Sequence, residues 1–569
     1  MGRHFSGNVH TSTRQERRKN GDIYVLERTI QYDQVTGKTR TLETKLLGKI
    51  PAGEAEMVAT RPKKPNGFAT LTATRKHVGM TAILDWVGRE SGIDEDVCKS
   101  FSSGDAAKII SIARYWLATD GGTLPRLESW QITHELPYSQ GISEDVYGEL
   151  FRNLGYNETG IQKYFSCRAK RLSRSPVIAY DSTTISTYSE NQHEARQGFN
   201  KDRDGLPTIK LLTLYSVKDR EPIAFAKQPG NIPDVIAVGN TLEQLKCFDI
   251  DKPMVATDNG FYSLDNLRLF CQRNLKFLTL IDSGVNLARN VIDELRDKLE
   301  DMAAGCPFDL NISGASVMKM QTFKWKRKRE GSGKKAGDTE TMERRLYFYV
   351  FHSEELANQH RLNFKKQLNE LRCQLEEGAT EFTDAAKERI EQYFTLSKMG
   401  RGGRLHITFN EDACAEAKKN FGYFVLVSNC PLDVFEALSD YRLREKIEEL
   451  FKDEKECADS RRIRVWYGDT LRGRQMAQFV SICYRCFLMK KIKEVEEGLC
   501  KDEASMTKEQ YGREKKLKSW IQQRSLAQIL DWFDCVDTTT VNTEAGKRRW
   551  TTETVERDRF FLERLGVTK

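Results

Sequence analysis

The strongest constraint on the fold is a change of grammar near residue 176. Short apolar runs begin there, at 176–180, 208–216 and 222–228, with Lys218-Asp219-Arg220 as a turn between the second and third. Helical periodicity follows at 235–245 and 264–271, alternating with apolar runs at 253–257 and 276–281. Antiparallel hairpins first, then strand–helix–strand, predict a mixed sheet with helices packed on it. The runs 176–180 and 253–257 lead directly into Asp181 and Asp258, each followed by small polar residues. Side chains at such strand ends emerge at the sheet edge where sites form. Taken singly, each aspartate reads more readily as a turn or cap residue.

A chain of 569 residues is too long for one core, and 39% hydrophobic with 10% aromatic residues suffices for several packed ones. Residues 1–62 read as a small β-rich basic unit, with alternation around Tyr24-Val25-Leu26 and 41–47 and a turn at Thr36-Gly37. Residues 68–175 read as helical, with candidate helices at 80–89, 105–118, 143–153 and 157–172, and Ser143 and Asn157 placed as N-caps. The strand grammar occupies 176–282 and resumes at 422–490. Between them, 283–421 reads as an insertion with a helix, two strands and a long charged helical stretch over 354–394. Residues 491–569 read as a helical C-terminal region.

Net charge is +8, unevenly placed. The stretch 165–175 carries Arg168, Lys170, Arg171 and Arg174, and 324–335 carries Lys324, Lys326, Arg327, Lys328 and Arg329 around Trp325. Such clusters are the electrostatic footprint expected of a polyanion partner, although solvated loops also carry them. No 18-residue apolar stretch occurs, so no membrane span is expected. The 13 cysteines form no framework, and Cys483-Tyr-Arg-Cys486 lies within an apolar helical run that favours packing over zinc or redox chemistry. The 8 histidines are dispersed and show no ligand spacing.

Residues 440–455 read as helix throughout. At about 100° per residue, Tyr441, Arg444, Glu448 and Lys455 fall at roughly 0°, 300°, 340° and 320°, a stripe about 60° wide. Leu443, Ile447, Leu450 and Phe451 lie beside it as an apolar docking face. A lone carboxylate among cations beside a buried face suits a metal or phosphate site. Asp181, Asp258 and Glu448 together would repel one another unless a divalent cation neutralised them. Two Mg2+ ions in such a cluster suit in-line attack on a phosphodiester, and Arg444 and Lys455 suit the flanking phosphates.

Tyr441, Arg444, Glu448 and Lys455 reproduce without a gap the YREK signature of the bacterial cut-and-paste insertion-sequence transposases, which this chain therefore resembles. Tyr180-Asp181-Ser-Thr-Thr resembles that family's first catalytic aspartate segment, and Ala256-Thr-Asp258-Asn-Gly-Phe-Tyr its second. Pro229-Gly-Asn-Ile-Pro-Asp234 and Trp466-Tyr-Gly-Asp-Thr-Leu-Arg-Gly473 resemble further segments, so the likeness spans roughly 176–490. It implies an α/β fold: a ribonuclease-H-like mixed-sheet catalytic core interrupted by an insertion domain. With it come a small β N-terminal unit, a helical DNA-binding domain and a helical C-terminal region.

The implied activity is Mg2+-dependent cleavage of double-stranded DNA at an element's inverted repeats and joining to target DNA, with Mn2+ able to substitute. Asp181, Asp258 and Glu448 are the implied catalytic and metal residues. Tyr441, Arg444 and Lys455 are the implied contacts to the DNA end, and Trp325 the candidate for stacking a flipped base. The resemblance also implies a homodimeric synaptic complex and a cytoplasmic, nucleoid-associated protein. Two alternatives stay open: a catalytically inactive DNA-binding relative, and a nuclease of the same fold that cuts without joining.

Overall fold

The structure is a computed structural model that describes residues 9–32, 37–59, 72–172, 177–198, 200–201, 203–233, 236, 254–326, 338–379, 381–399, 404–444, 465–501, 506–543 and 546–567. It divides into two units, Met1–Thr74 with Thr539–Trp550, and Arg75–Thr538 with Thr551–Lys569.

In the first unit, strands Val9–Arg17, Ile23–Tyr32, Thr39–Ile50 and Val58–Ala59 pair in chain order as an antiparallel sheet. The turn into the second strand needs Gly21, whose φ of 89° is left-handed and where a Cβ would crowd Ala52. Val9–Arg17 escapes a burial-based reading because nearly all its side chains are exposed. Its threonines and valine favour extended backbone, and antiparallel pairing with Ile23–Tyr32 satisfies that backbone.

The second unit is built on a nine-stranded sheet. Its strands are β1 (Val177–Ser186), β2 (Thr208–Ser216), β3 (Glu221–Pro229), β4 (Met254–Thr257), β5 (Lys276–Ile281), β6 (Gly305–Cys306), β7 (Asp309–Lys326), β8 (Thr339–Ser353) and β9 (Tyr423–Ser428). They lie in the order β6-β7-β8-β9-β5-β4-β1-β2-β3. β1, β2 and β3 form an antiparallel meander, and β4 and β5 add in parallel beside β1. β9 and β8 then continue the sheet antiparallel. The strands expected from sequence are therefore present. One boundary moves: the first was expected to stop at residue 180, yet β1 runs on to Ser186, because Thr183, Thr184 and Ile185 are β-branched and pair fully with β2.

The insertion does not stand apart from the sheet, since β6, β7 and β8 are strands of it. Its remainder gathers on a small core of Leu368, Leu375, Ile390, Phe394 and Cys414. The helix expected across 354–394 is two, Glu354–Glu376 and Asp384–Tyr393. Gly378 at φ 81° ends the first, with Ala379 N–H donating to the Gln374 carbonyl, and the Thr383 hydroxyl caps the second.

The helical segment shares its core with the sheet: Phe165 packs on Phe225 of β3 and on Phe479 of the long helix Gly468–Gly498. That helix crosses Glu144–Tyr156 at two glycines, where a Cβ on Gly155 would overlap the Asp469 carbonyl and one on Gly473 the Phe151 carbonyl. Cys483 and Cys486 lie on it, the former buried, in keeping with packing. The Asn157 side chain caps its helix by accepting from Gly160 N at 2.9 Å, whereas Ser143 stands at the N-cap without a side-chain bond. The C-terminal region is not helical throughout, because Asp537–Thr543 and Gly546–Thr551 are strands. Asp-Thr-Thr-Thr-Val is a β-branched run with no helical periodicity.

Candidate active site

Register brings the two aspartates together. The parallel pairing of β1 with β4 ends at Tyr180 opposite Thr257, so Asp181 and Asp258 are the next residues on adjoining chains. Neighbouring strands are about 4.8 Å apart, and equal register sends both carboxylates to the same side of the sheet. β1 continues past Asp181 while β4 stops, so the first aspartate is enclosed and the second opens to solvent. The side chains are 9% and 36% exposed respectively.

The segment after Thr257 is held in place. Asn259–Phe261 forms a single 3-10 turn, Phe261 packs on Tyr180 with ring centroids 4.9 Å apart, and Asn266 Nδ2 donates to the Phe261 carbonyl at 2.8 Å. On the opposite side, the chain leaving β9 turns where Tyr349 Oη donates to the Cys430 carbonyl and accepts from Leu432 N. Asp433 then caps the helix Val434–Leu443, accepting from Phe435 N at 2.9 Å and Glu436 N at 3.2 Å. Arg442 on the outer side of that helix donates to Asp309 Oδ2 at 2.8 Å.

The helix delivers two members of the sequence stripe to the aspartates. Tyr441 Oη donates to Asp258 Oδ1 at 3.1 Å. Arg444 Nη1 donates to Asp181 Oδ2 at 3.3 Å, and its Nη2 lies 3.8 Å from Asp258 Oδ1. The guanidinium also sits 5.2 Å from the Tyr441 ring centroid. Four residues from three segments thus converge, and one arginine spans both carboxylates. Glu448 and Lys455 lie outside the described residues.

Burial pushes the Asp181 carboxyl up to about 6, against the opposing pull of Lys201, the Ser182 N–H and Arg444. Ser182 N donates to Asp181 Oδ1 at 2.7 Å, which leaves Oδ2 turned toward Arg444. Burial likewise raises the Tyr441 phenol, so it stays a donor. Lys201 is the residue that sequence reasoning missed. Its Nζ donates to the Ser182 carbonyl at 2.6 Å, placing an ammonium beside the enclosed aspartate. The only signal was the charged loop Asn200-Lys-Asp-Arg-Asp-Gly205 that follows the aspartate strand.

The other expected residues are placed elsewhere. Arg168 was expected on a basic surface facing DNA; its side chain is fully buried, donating to Glu221 Oε2 at 2.7 Å. It lies on the core face of Glu158–Leu172, where it answers the carboxylate of β3. Arg171 is bound to Asp96 at 2.7 Å and Glu95 at 3.1 Å, so its charge is matched within the helical segment. Lys170 is exposed. Trp325 on β7 is partly buried beneath Arg268, whose guanidinium lies 4.8 Å from the ring centroid. Lys326 is exposed at the end of β7, and Arg327 falls outside the described residues. Separately, Ser189 Oγ and Gln192 Nε2 donate to the carbonyls of Trp466 and Val465, tying the segment ahead of the long helix to the loop that follows β1.

The donor set fits a hard divalent cation. Carboxylate oxygens are its preferred ligands, and two carboxylates at adjoining positions, one of them enclosed, are costly to ionise together without positive charge.

A family model described as Transposase DDE domain matches residues 172–558. No curated protein matches the chain. Among solved structures, a cryo-EM structure of a piggyBac transposase synaptic complex with hairpin DNA is similar at 10% identity and a TM-score of 0.32, covering 80% of this chain and 78% of that one.

Proposed function

This chain belongs to the Transposase DDE domain family, and from that membership we propose that it is the transposase of a bacterial insertion sequence. In this reading it binds the terminal inverted repeats, cleaves the DNA ends and joins them to target DNA as a homodimer. The observation that carries the proposal is the convergence of Asp181 and Asp258 with Tyr441 and Arg444. The strand order β3-β2-β1-β4-β5, with the first aspartate on β1 and the second after β4, supports a ribonuclease-H-like core.

Asp181 and Asp258, with Glu448 as third carboxylate, hold Mg2+ in this proposal. Mg2+ held by these carboxylates would supply Lewis-acid activation of a water or 3′-hydroxyl and charge stabilisation for the leaving oxygen. The protein's own groups set the stage. The Ser182 N–H fixes one oxygen of Asp181, and the Tyr441 phenol fixes one of Asp258. Lys201 and Arg444 offset the charge of two neighbouring carboxylates. Trp466 and Tyr467, both exposed, join Arg152 and Arg474 around a cavity of about 610 Å3, a surface suited to bases and phosphates.

The test is incubation of the protein with its own element ends. Mg2+-dependent cleavage and joined products are expected, and both should vanish with chelator and in Asp181→Ala, Asp258→Ala and Glu448→Ala. Cleavage that survives Glu448→Ala would overturn the assignment, and cleavage without joining would favour a stand-alone nuclease. Binding without cleavage would favour an inactive DNA-binding relative.

A further inference from the structure

The nine-stranded sheet ends in an open edge. β6 pairs with β7 only between Asp309 and Ser313, so from Gly314 to Lys326 no strand among the described residues pairs with the outer side of β7. Its inner side pairs with β8 residue for residue, from Ile312 with Ser353 to Lys326 with Thr339, without a bulge. No proline occurs in the strand. Proteins ordinarily blunt an edge with short strands, bulges or prolines, because a long regular edge is a template for another strand. β7 has none of these three devices.

The two ends of the strand differ in chemistry. At its start, Leu310 and Met302 are both 97% exposed and line one cavity of about 650 Å3 together with Leu299. Glu300, Asp301 and Glu354 line the same cavity, and among the described residues no lysine or arginine does. At the far end stand Lys324 and Lys326, both exposed. Between the ends, Met318 and Met320 are 49% and 55% exposed. By the two-residue alternation of a strand they share a face with Leu310 and with both lysines.

A rise of about 3.3 Å per residue sets Leu310 and Lys326 roughly 50 Å apart on one continuous strand. The basic end of β7 therefore cannot reach the acidic, apolar end of its own strand. A second copy running antiparallel brings each end to the other. The acidic cavity repels a polyanion, so DNA does not fit this end of the edge, whereas a basic protein segment does.

We propose that β7 pairs antiparallel with β7 of a second copy of this chain, joining the two sheets edge to edge. The two-fold axis passes near Met320, halfway along the open stretch Gly314–Lys326, so Met318 and Met320 of both copies meet at the centre. Lys324 and Lys326 then fall opposite Ser316 and Gly314 of the second copy, where the start of its β6 at Gly305 ends the pairing. The chain leading into that β6 carries Glu300, Asp301 and Met302. Lysines deter edge pairing where like faces like; in this overlap they face the acidic end, and Lys319 is held by Glu294 at 2.6 Å. One patch serves both copies, so the contact closes at a dimer and does not grow into a fibre. Its use in a homodimeric transposase rests on the reading above, but the pairing itself needs neither DNA nor Mg2+.

The experiment measures the mass of the full chain by sedimentation equilibrium over a dilution series, without DNA or Mg2+, at low and at moderate salt. A monomer–dimer equilibrium that salt weakens is expected. Met320→Lys sets two like charges together at the axis and should raise the dimer dissociation constant at least about tenfold. Lys324→Glu with Lys326→Glu should weaken the dimer similarly, and adding Glu300→Lys with Asp301→Lys should restore it, which a merely misfolded chain would not do. All five positions are exposed, so the variants should fold, and their melting temperatures check this. A monomer at every concentration would overturn the pairing and leave the edge to a different protein. Open-ended assemblies, or a dimer indifferent to both Met320→Lys and the lysine reversal, would overturn it as well. No DNA enters the readout, so each of these failures leaves the transposase reading standing.

Discussion

At the residue scale, Asp181 is where folding and chemistry oppose each other. Its folded value near 6 lies above the ordinary 3.8, so the native state takes up a proton between those values. The cost of the buried charge is absent below about pH 4 and fully present above about pH 6, and stability falls as pH rises through that window. Metal-free Asp181→Asn should therefore melt above the wild type at pH 8, by on the order of 2–3 kcal/mol, with the gap closing by pH 4. Mg2+ should stabilise the wild type alone, and equal melting at both pH values would remove the buried-charge account. Tyr441→Phe deletes the bond to Asp258 and should slow end cleavage roughly tenfold, with the loss concentrated at low Mg2+, given the usual worth of a hydrogen bond to a charged group. Arg168→Ala should unfold the protein more easily, by on the order of 3 kcal/mol, because it leaves the buried Glu221 carboxylate to Lys490, while the salt dependence of DNA binding stays unchanged. Reading Arg168 as a DNA contact failed for a clear reason: sequence counts a guanidinium in a basic run but does not say which helix face turns to the sheet.

At the scale of elements, local signals were most dependable where chain chemistry settles conformation alone. Asn157 caps its helix as its place in the sequence suggests, whereas Ser143 stands at an N-cap without a side-chain capping bond, and the strands of the sheet sit where apolar runs sit. The errors arose where neighbours decide. β1 runs past Asp181 because β2 pairs with it, and Val9–Arg17 is a strand without an apolar pattern because Ile23–Tyr32 pairs with it. The crossing of Glu144–Tyr156 with Gly468–Gly498 is equally invisible in one segment, since Gly155 and Gly473 matter only where two helices touch. Gly473→Ala should destabilise the fold by about 1–3 kcal/mol or more through this overlap, readable as a lower thermal midpoint. A solvent-exposed glycine on the same helix, Gly498, meets nothing nearby and should tolerate alanine.

At the scale of the whole molecule, the helical segment cannot be treated as a detachable module. Trp116, Phe151, Tyr164 and Phe165 belong to one hydrophobic cluster with β-strand residues such as Leu212 and Val255 and with Met476, Val480 and Tyr484. A fragment beginning at residue 176 would expose that core and should fail to give a cooperative melting transition. Removal of residues 1–62 should spare the main transition, since every member of the cluster lies at or beyond Met80. Calorimetry of the two truncations distinguishes these outcomes.

What the sequence determined by itself was the position of the sheet's strands, the two aspartates that follow apolar runs, and the three-residue spacing that sets Tyr441 and Arg444 on neighbouring turns. These depend on periodicity, capping and covalent spacing, which act over a few residues. Only tertiary structure decided that Asp181 and Asp258 are side by side, that Arg444 spans them, that Lys201 stands behind the first and that Arg168 faces inward. Those facts depend on strand register and on the burial of charge between elements, and both are set by partners the local chain does not contain.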